Sequence, residues 1–177
     1  LHEDSLTAQT AMSGSVMRYY EHMDYPGVDI LTEGNVNYWV VKQLSSAARQ
    51  TGKKWLLSEL YGCTGWQMSF ENHKQVGDWQ ALFGINLRCH HLSWYTMEGE
   101  AKRDFPASIS HQSAWWQDYE YVETYFSRLG VAMTNGEPDC DVLVINPVES
   151  LWCQIYPGWS ENLSAKSAAV KKIEEKH

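Results

Sequence analysis

Several features that often reveal a protein's function are missing from this sequence. No C-x-x-C pair occurs among its four cysteines, so neither a zinc ribbon nor a thioredoxin-type motif is supported. G-x-S-x-G, P-loop and dinucleotide-binding motifs are also absent, which weakens esterase, kinase and dehydrogenase interpretations. No stretch approaches the roughly 20 apolar residues needed to cross a bilayer. We therefore expect no membrane-spanning segment.

Positive charge is scarce as well. Fourteen Lys and Arg residues stand against 22 Asp and Glu, which gives a net charge of −8, and no basic patch precedes the C-terminal tail. The net negative charge would repel the phosphates of a nucleic acid, so we expect no nucleic-acid partner. The cysteines are expected to be free and mostly buried thiols, at Cys63, Cys89, Cys140 and Cys153.

Phenylalanine is rare beside the other aromatic residues. Nine Trp and ten Tyr accompany only four Phe, so most aromatic rings here carry a polar group. Rings of this kind suit wet, partly buried surfaces, and sugar-binding clefts are one example. A Trp-rich core is the alternative explanation.

Apolar runs and helical patterns alternate along the chain. Strands are predicted to start near residues 28, 55, 85 and 141 with helices between them, and Ser69 is expected to cap one of these helices. Such alternation implies parallel strands joined by right-handed crossovers, as in α/β folds. One open doubly wound sheet and the closing part of a (β/α)₈ barrel both satisfy this pattern.

We favour the barrel interpretation. Residues 1–137 would then form the C-terminal portion of a (β/α)₈ TIM-type barrel, and residues 138–177 would begin a flavodoxin-like α/β domain. The chain starts without Met inside a helical pattern and ends in a helix with no stop signal. We therefore expect it to be a piece of a longer protein.

The stretch from Lys54 to Trp66 contains the leading catalytic candidate. Its apolar beginning, residues 55–57, is typical of a strand buried on both faces, and Glu59 follows where the chain loosens toward two glycines. In parallel α/β folds active sites collect at the carboxyl ends of the strands. Glu59 is thus predicted to be catalytic, and the alternative is an ion pair with a nearby Lys or Arg.

Polar and aromatic side chains follow three of the predicted strands and should meet at one rim. Carboxylates, imidazoles and indoles around one mouth fit glycoside hydrolysis, which uses two carboxyl groups and stacks sugar on aromatic rings. The candidate substrate-binding residues are Glu33, Tyr61, Trp66, His90, His91 and Trp94.

Each candidate also has a plainer explanation. Glu33 can simply favour the positive end of the following helix. His90 and His91 point to opposite faces if their strand continues, so only one of them can face a pocket. Adjacent histidines could suggest a transition metal, but no third ligand has suitable spacing. Glu98 and Glu100, in a loop of about 20 residues, could contact substrate or Ca²⁺, or simply be solvated.

Four segments together resemble a known family. Residues 20–29 are similar to the Y-x-x-M-x-x-P-G-[IV]-D stretch of large bacterial glycoside hydrolases of the α-L-rhamnosidase type. Residues 58–66 resemble their S-E-x-[YF]-G-x-x-G-W segment, and residues 74–91 resemble the K-x-x-x-D-[WY]…G-[IVL]-N…H run. Residues 141–147 are similar to the D-V-x-V-x-x-P strand that opens the domain after the barrel.

The resemblance implies a (β/α)₈ catalytic domain in a large multidomain enzyme, secreted or periplasmic. It implies inverting hydrolysis of a terminal deoxysugar such as α-L-rhamnose, with Ca²⁺ as an optional aid. Glu59 would be the base that activates water, and its partner acid would lie on an earlier strand outside this chain. The expected partners are a carbohydrate substrate and the remainder of the same polypeptide, so this chain alone should be inactive.

Two further classes of protein remain open at this point. One is a retaining β-galactosidase-like hydrolase, whose barrel is also followed by an α/β domain. The other is a non-catalytic carbohydrate-binding relative that keeps the aromatic rim. A carboxyl separation near 5 Å would favour the retaining enzyme, whereas 6.5–9.5 Å is typical of inverting enzymes.

Overall fold

A three-stranded parallel sheet forms the centre of the protein. The computed structural model describes residues 5–34, 36–91, 93–100, 109–156, 158–159 and 168–175. The strands are β1 (Gly27–Asp29), β2 (Leu57–Leu60) and β3 (Leu87–His90), and they lie in chain order with every pair parallel. The predicted α/β class and parallel strand pairing are therefore confirmed.

Seven α-helices surround or extend the sheet in the described part of the chain. Side-chain caps start several of them: Asn37 accepts a hydrogen bond from the amide of Val40, and Ser69 accepts one from Asn72, which confirms the predicted cap. A 3₁₀ turn, Gln117–Tyr119, leads into the helix that begins at Glu120. The helices are α1 (Leu6–Ser13), α2 (Val16–Tyr20), α3 (Tyr38–Thr51), α4 (Phe70–Leu82), α5 (Glu120–Thr134), α6 (Val148–Trp152) and α7 (Ala168–Glu174).

The two crossover helices lie on the same face of the sheet. Val28 on β1 packs into a core with α3, and Leu60 on β2 packs into a core with α4 and α5. Val28 is in register with Ser58, and side chains two residues apart along a strand share a face, so Val28 and Leu60 point the same way. We call this the helix face, and its residues are Val28, Ser58, Leu60, Arg88 and His90.

The opposite face of the sheet carries a row of polar side chains. Asp29 is in register with Glu59, and Glu59 is in register with Cys89, so the three residues lie side by side across the strands. Ser58 and Leu60 on the helix face are fully buried, whereas the Glu59 side chain is 35% exposed and Cys89 is exposed. We call this second surface the open face.

The central strand lies two residues later than the sequence predicts. The apolar run at residues 55–57 suggested a strand that breaks at Ser58, but β2 begins at Leu57 and continues through Leu60. Trp55 is 40% exposed and precedes the strand. Ladder pairing with β1 and β3 determines where the strand lies, and an apolar run alone does not reveal which residues will be paired.

The predicted strand at residues 141–147 is wrong. These residues are described in full and adopt no regular structure, and the side chains of Val142, Leu143, Val144 and Ile145 are 76–86% exposed. A strand needs a partner for its backbone hydrogen bonds, and the described sheet consists of β1, β2 and β3 alone.

The C-terminal helices pack against the N-terminal helix. Leu6 of α1 forms a buried cluster with Val148 and Leu151 of α6 and Val170 of α7. The indole of Trp152 donates a hydrogen bond of 2.9 Å to the carbonyl of Gly14. The domain boundary that we predict near residue 137 and the flavodoxin-like nature of residues 138–177 stay predictions.

Two expectations from composition can be compared with the structure. Among the helices that the structure describes, none is long and apolar enough to span a bilayer. The cysteines are free, as predicted, but the expectation that most are buried is wrong, because all four are exposed. Cys89 lies on the open face and Cys63 in the turn after β2, so neither side chain enters a core.

The contact between α4 and α5 depends on a glycine. An added Cβ at Gly77 would lie 2.2 Å from the ring of Phe126, whereas an added Cβ at Gly130 on α5 would meet no atom within 4 Å. Replacing an unhindered helical Gly by Ala stabilises a protein by about 0.5–1 kcal/mol. Forcing extra volume into a packed core costs about 1–3 kcal/mol.

We therefore expect Gly77→Ala to lower the free energy of unfolding by about 1–3 kcal/mol, and Gly130→Ala to raise it by about 0.5–1 kcal/mol. Urea denaturation followed by tryptophan fluorescence measures both. Equal effects of the two substitutions would contradict the packing of Phe126 on Gly77.

Candidate functional site

Glu59 lies near the carboxyl end of the central strand and points to the open face. Its Oε1 is 3.8 Å from Nε2 of His91, which directly follows β3. The amide of His91 donates a hydrogen bond of 3.0 Å to the carbonyl of Leu60, so the end of β3 stays attached to β2. A carboxylate next to an imidazole, both partly exposed, can bind and move protons at this edge of the sheet.

Asp29 is the site residue that sequence reasoning missed. It is the last residue of β1, and it lies beside Glu59 on the open face because the two residues are in register. Neighbouring strands are about 4.8 Å apart, so the two carboxylates start from Cβ atoms roughly 5 Å apart. Each of β1 and β2 has one acid as its third residue, followed by an apolar residue, and that shared pattern is the available sequence signal.

Tyr61 begins the turn after β2 and lies on the helix side of the sheet. It is 1% exposed and has a φ of 70°, in the left-handed region that bulky residues rarely adopt. Its hydroxyl donates to the carbonyl of His73 at 3.0 Å and accepts a hydrogen bond from Nη1 of Arg88 at 3.1 Å. Burial raises the pKa of the Tyr61 phenol and lowers the pKa of the His73 imidazole.

His90 points to the helix face and belongs to an ionic network with α5. Its Nε2 lies 3.1 Å from Oε1 of Glu123, and Nη2 of Arg88 donates to Oε2 of the same carboxylate at 2.8 Å. The Arg88 guanidinium also stacks 4.0 Å from the centre of the Phe126 ring. The structure therefore separates the two predicted histidines, with His91 beside Glu59 and His90 beside Glu123.

The neighbours of Glu123 favour its ionised form. Partial burial alone would raise the pKa of this carboxyl, but the close contact with the His90 imidazole and the positive charge of Arg88 outweigh burial and hold the pKa below its ordinary value. Sequence reasoning missed this network, because Arg88 and Glu123 are 35 residues apart and no short motif joins them.

The remaining predicted site residues are two tryptophans that pack on each other and three exposed glutamates. Trp66 and Trp94 form an edge-to-face pair with ring centroids 5.6 Å apart, and Trp66 is 42% exposed while Trp94 is 7% exposed. Glu33 lies exposed in the turn after β1. Glu98 and Glu100 are exposed in the loop after Trp94, and residues 101–108 of that loop lie outside the described residues.

Metal ligation and cavities offer little to this site. Within the described residues, no three His, Cys, Asp or Glu side chains converge as a metal ion would require. Ca²⁺ also binds amide and backbone carbonyl oxygens, so Ca²⁺ stays a prediction from the resemblance. A cavity of about 380 Å³ shares no residue with the Glu59 site and is lined by Val144, Ile145, Pro147, Ser150, Ala169, Lys172 and Ile173.

The pKa of Glu123 generates a prediction about stability. Because the folded-state pKa is lower than the unfolded value, the carboxylate stabilises the protein fully above about pH 4.5 and loses this contribution as the pH falls through the folded pKa. Hydrogen bonds to charged groups contribute about 1.5–3 kcal/mol. We expect about 1 kcal/mol here, since the Glu123 side chain is 45% exposed and water screens the pair.

Glu123→Gln should therefore destabilise the protein by about 1 kcal/mol at pH 7, and the difference from wild type should shrink below about pH 4.5. Urea denaturation at a series of pH values measures it. Glu120→Gln is the matched control, because Glu120 is an exposed acid in the same first helical turn. If the difference in free energy of unfolding between Glu123→Gln and wild type grows as the pH falls, it would contradict the lowered pKa of Glu123.

Comparisons with known proteins add no assignment to this geometry. No protein-family model, no curated protein and no solved structure matches the chain.

Proposed function

We propose that this chain is part of a glycoside hydrolase and that Glu59 is one of its catalytic carboxylates. The observation that carries the proposal is the position of Glu59 on the open face near the carboxyl end of β2, with Asp29 and His91 beside it. Glycoside hydrolysis requires two carboxyl groups at such a site. The resemblance to the α-L-rhamnosidase type supports the same class and suggests a terminal deoxysugar as the substrate.

The placement of the helices is compatible with the proposed barrel, and equally with one half of a doubly wound sheet, where consecutive right-handed crossovers also share a face. A doubly wound sheet has helices on both faces, whereas a (β/α)₈ barrel has all its helices outside and its active site at the carboxyl ends of the strands. Here α3 and α4 share the helix face. In a barrel of this kind the open face would line the interior, and Glu59 would lie at the mouth where substrate binds.

In the proposed inverting reaction Glu59 acts as the general base. It removes a proton from water, whose oxygen attacks the anomeric carbon, while a carboxylic acid protonates the departing glycosidic oxygen. His91 lies 3.8 Å from Glu59 and can hold the carboxylate in place or bind a sugar hydroxyl. Trp66 is 42% exposed and offers an apolar surface for a sugar ring.

A retaining reaction is the second candidate, and the position of Asp29 favours it. The Cβ atoms of residues paired across adjacent strands lie roughly 5 Å apart, and from these positions the two side chains can bring their carboxyl groups to the 5–5.5 Å of retaining enzymes. In that reaction one carboxylate attacks the anomeric carbon and the other protonates the leaving oxygen. The inverting reaction instead takes its acid from an earlier strand of the longer polypeptide.

Glu59→Gln in the intact enzyme should lower kcat by about 10³-fold, because general bases contribute roughly 10²–10⁴-fold. Hydrolysis of a panel of aryl glycosides, with the α-L-rhamnoside included, measures it. Glu21→Gln is the control, since Glu21 is exposed and precedes β1 at the other end of the strands. Full activity in the Glu59→Gln enzyme would remove Glu59 from catalysis.

The stereochemistry of the first-formed sugar distinguishes the two reactions. We expect inversion if the partner acid lies on an earlier strand, and in that case Asp29→Asn should lower kcat far less than Glu59→Gln. Proton NMR of the anomeric product during early turnover measures the outcome. Retention, with equal losses in the two variants, would identify Asp29 and Glu59 as the catalytic pair and reject the inverting assignment.

A further inference from the structure

The turn after β2 contains two residues in a rare backbone conformation. Tyr61 has a φ of 70° and Cys63 has a φ of 58°, and Gly62 lies between them. A bulky residue in the left-handed region costs free energy, so it persists only where its surroundings hold it. Because this turn starts two residues after Glu59, its conformation affects which side chains lie next to the candidate site.

Tyr61 is held by contacts from three sides. Its amide donates a hydrogen bond of 2.8 Å to the carbonyl of Leu31, which follows β1. Its hydroxyl donates to the carbonyl of His73 on α4 and accepts from Arg88 on β3. Both the backbone and the ring of Tyr61 are thus fixed by neighbouring elements, and Thr64 closes the turn with a hydrogen bond of 2.8 Å to the Tyr61 carbonyl.

Gly62 brings the turn into contact with the imidazole beside Glu59. An added Cβ at Gly62 would lie 2.9 Å from Cδ1 of Leu31 and 3.1 Å from Cγ of His91. The Leu31 methyl group can rotate away, but Cγ joins the imidazole to its chain, so it moves only if the whole ring moves. The His91 ring is therefore confined between the turn and the Glu59 carboxylate, 3.8 Å from its Nε2.

We propose that Tyr61 and Gly62 are positioning residues: their turn, held by Arg88 and His73 from the helix side, sets the place of the His91 imidazole against the Glu59 carboxylate. The effect of this arrangement on catalysis rests on the proposed function, whereas the positioning of the His91 ring does not. The proposal gives buried Tyr61 a role different from the substrate contact that its place in the sequence suggests.

Gly62→Ala in the intact protein is the first test, and Gly136→Ala is its control, because an added Cβ at Gly136 meets no atom within 4 Å. The ring signals of ¹⁵N- and ¹³C-labelled histidine should shift for His91 in Gly62→Ala and stay unchanged in Gly136→Ala. On a glycoside that the wild type hydrolyses, Gly62→Ala should lower kcat by about 10- to 100-fold with little change in KM, since small misplacements cost this much.

Tyr61→Phe is the second variant and decides the question if Gly62→Ala does not fold. It keeps the ring and its packing but removes the hydroxyl that joins His73 to Arg88. We expect a smaller shift of the His91 signals and a several-fold loss of kcat, with circular dichroism unchanged.

If His91 gives wild-type signals in each of the two variants that folds, the proposal is overturned, even if kcat falls. If the wild-type enzyme hydrolyses no glycoside, the proposed function fails instead, and the His91 signals alone then decide the positioning role.

Discussion

The register of the parallel sheet is the constraint on which the rest of this structure depends. Pairing of Asp29 with Glu59 and of Glu59 with Cys89 sends these side chains to the open face and sends Ser58, Leu60 and Arg88 to the helices. A slip of one residue in β2 would exchange the two sets, burying a carboxylate under α4 and exposing Leu60. The hydrophobic cores that include Val28 and Leu60 oppose such a slip.

The two faces of the sheet are joined by the turn after β2. On the helix side, Glu123 and Phe126 of α5 hold the Arg88 guanidinium, which in turn donates to the Tyr61 hydroxyl. On the open side, the next residue in the turn is Gly62, and a Cβ added there would approach the ring of His91 to 3.1 Å. A partly buried ionic network thereby stabilises the fold and also supports a backbone conformation that tyrosine rarely adopts.

Local signals in the sequence predicted part of this fold. The side chain of Ser69 satisfies the amide of Asn72 at the start of α4, and such a cap depends on residues three positions apart. The apolar run at 141–147 carried an equally clear local signal, yet it forms no strand, because pairing depends on a partner that periodicity does not reveal. The same limit explains why β2 begins later than expected.

The candidate site was predictable to a similar extent. Glu59 could be selected from its place after a buried apolar run, but the nearness of Asp29 follows from register and so was not visible. His90 and His91 were expected to face opposite sides, and the structure shows which side each one takes. The role of Tyr61 depends on a positive φ and on contacts with residues 12 and 27 positions away.

The central claim is that substrate binds on the open face beside Glu59, and Cys89 reports on this surface because it is paired with Glu59 in the same row. The measurement is the rate of Cys89 alkylation by iodoacetamide, followed by mass spectrometry, in intact Glu59→Gln enzyme with and without a saturating aryl glycoside that the wild type hydrolyses. The account predicts that the glycoside slows alkylation of Cys89 and leaves Cys140 and Cys153 unaffected. Equal rates at Cys89 with and without the glycoside would contradict it.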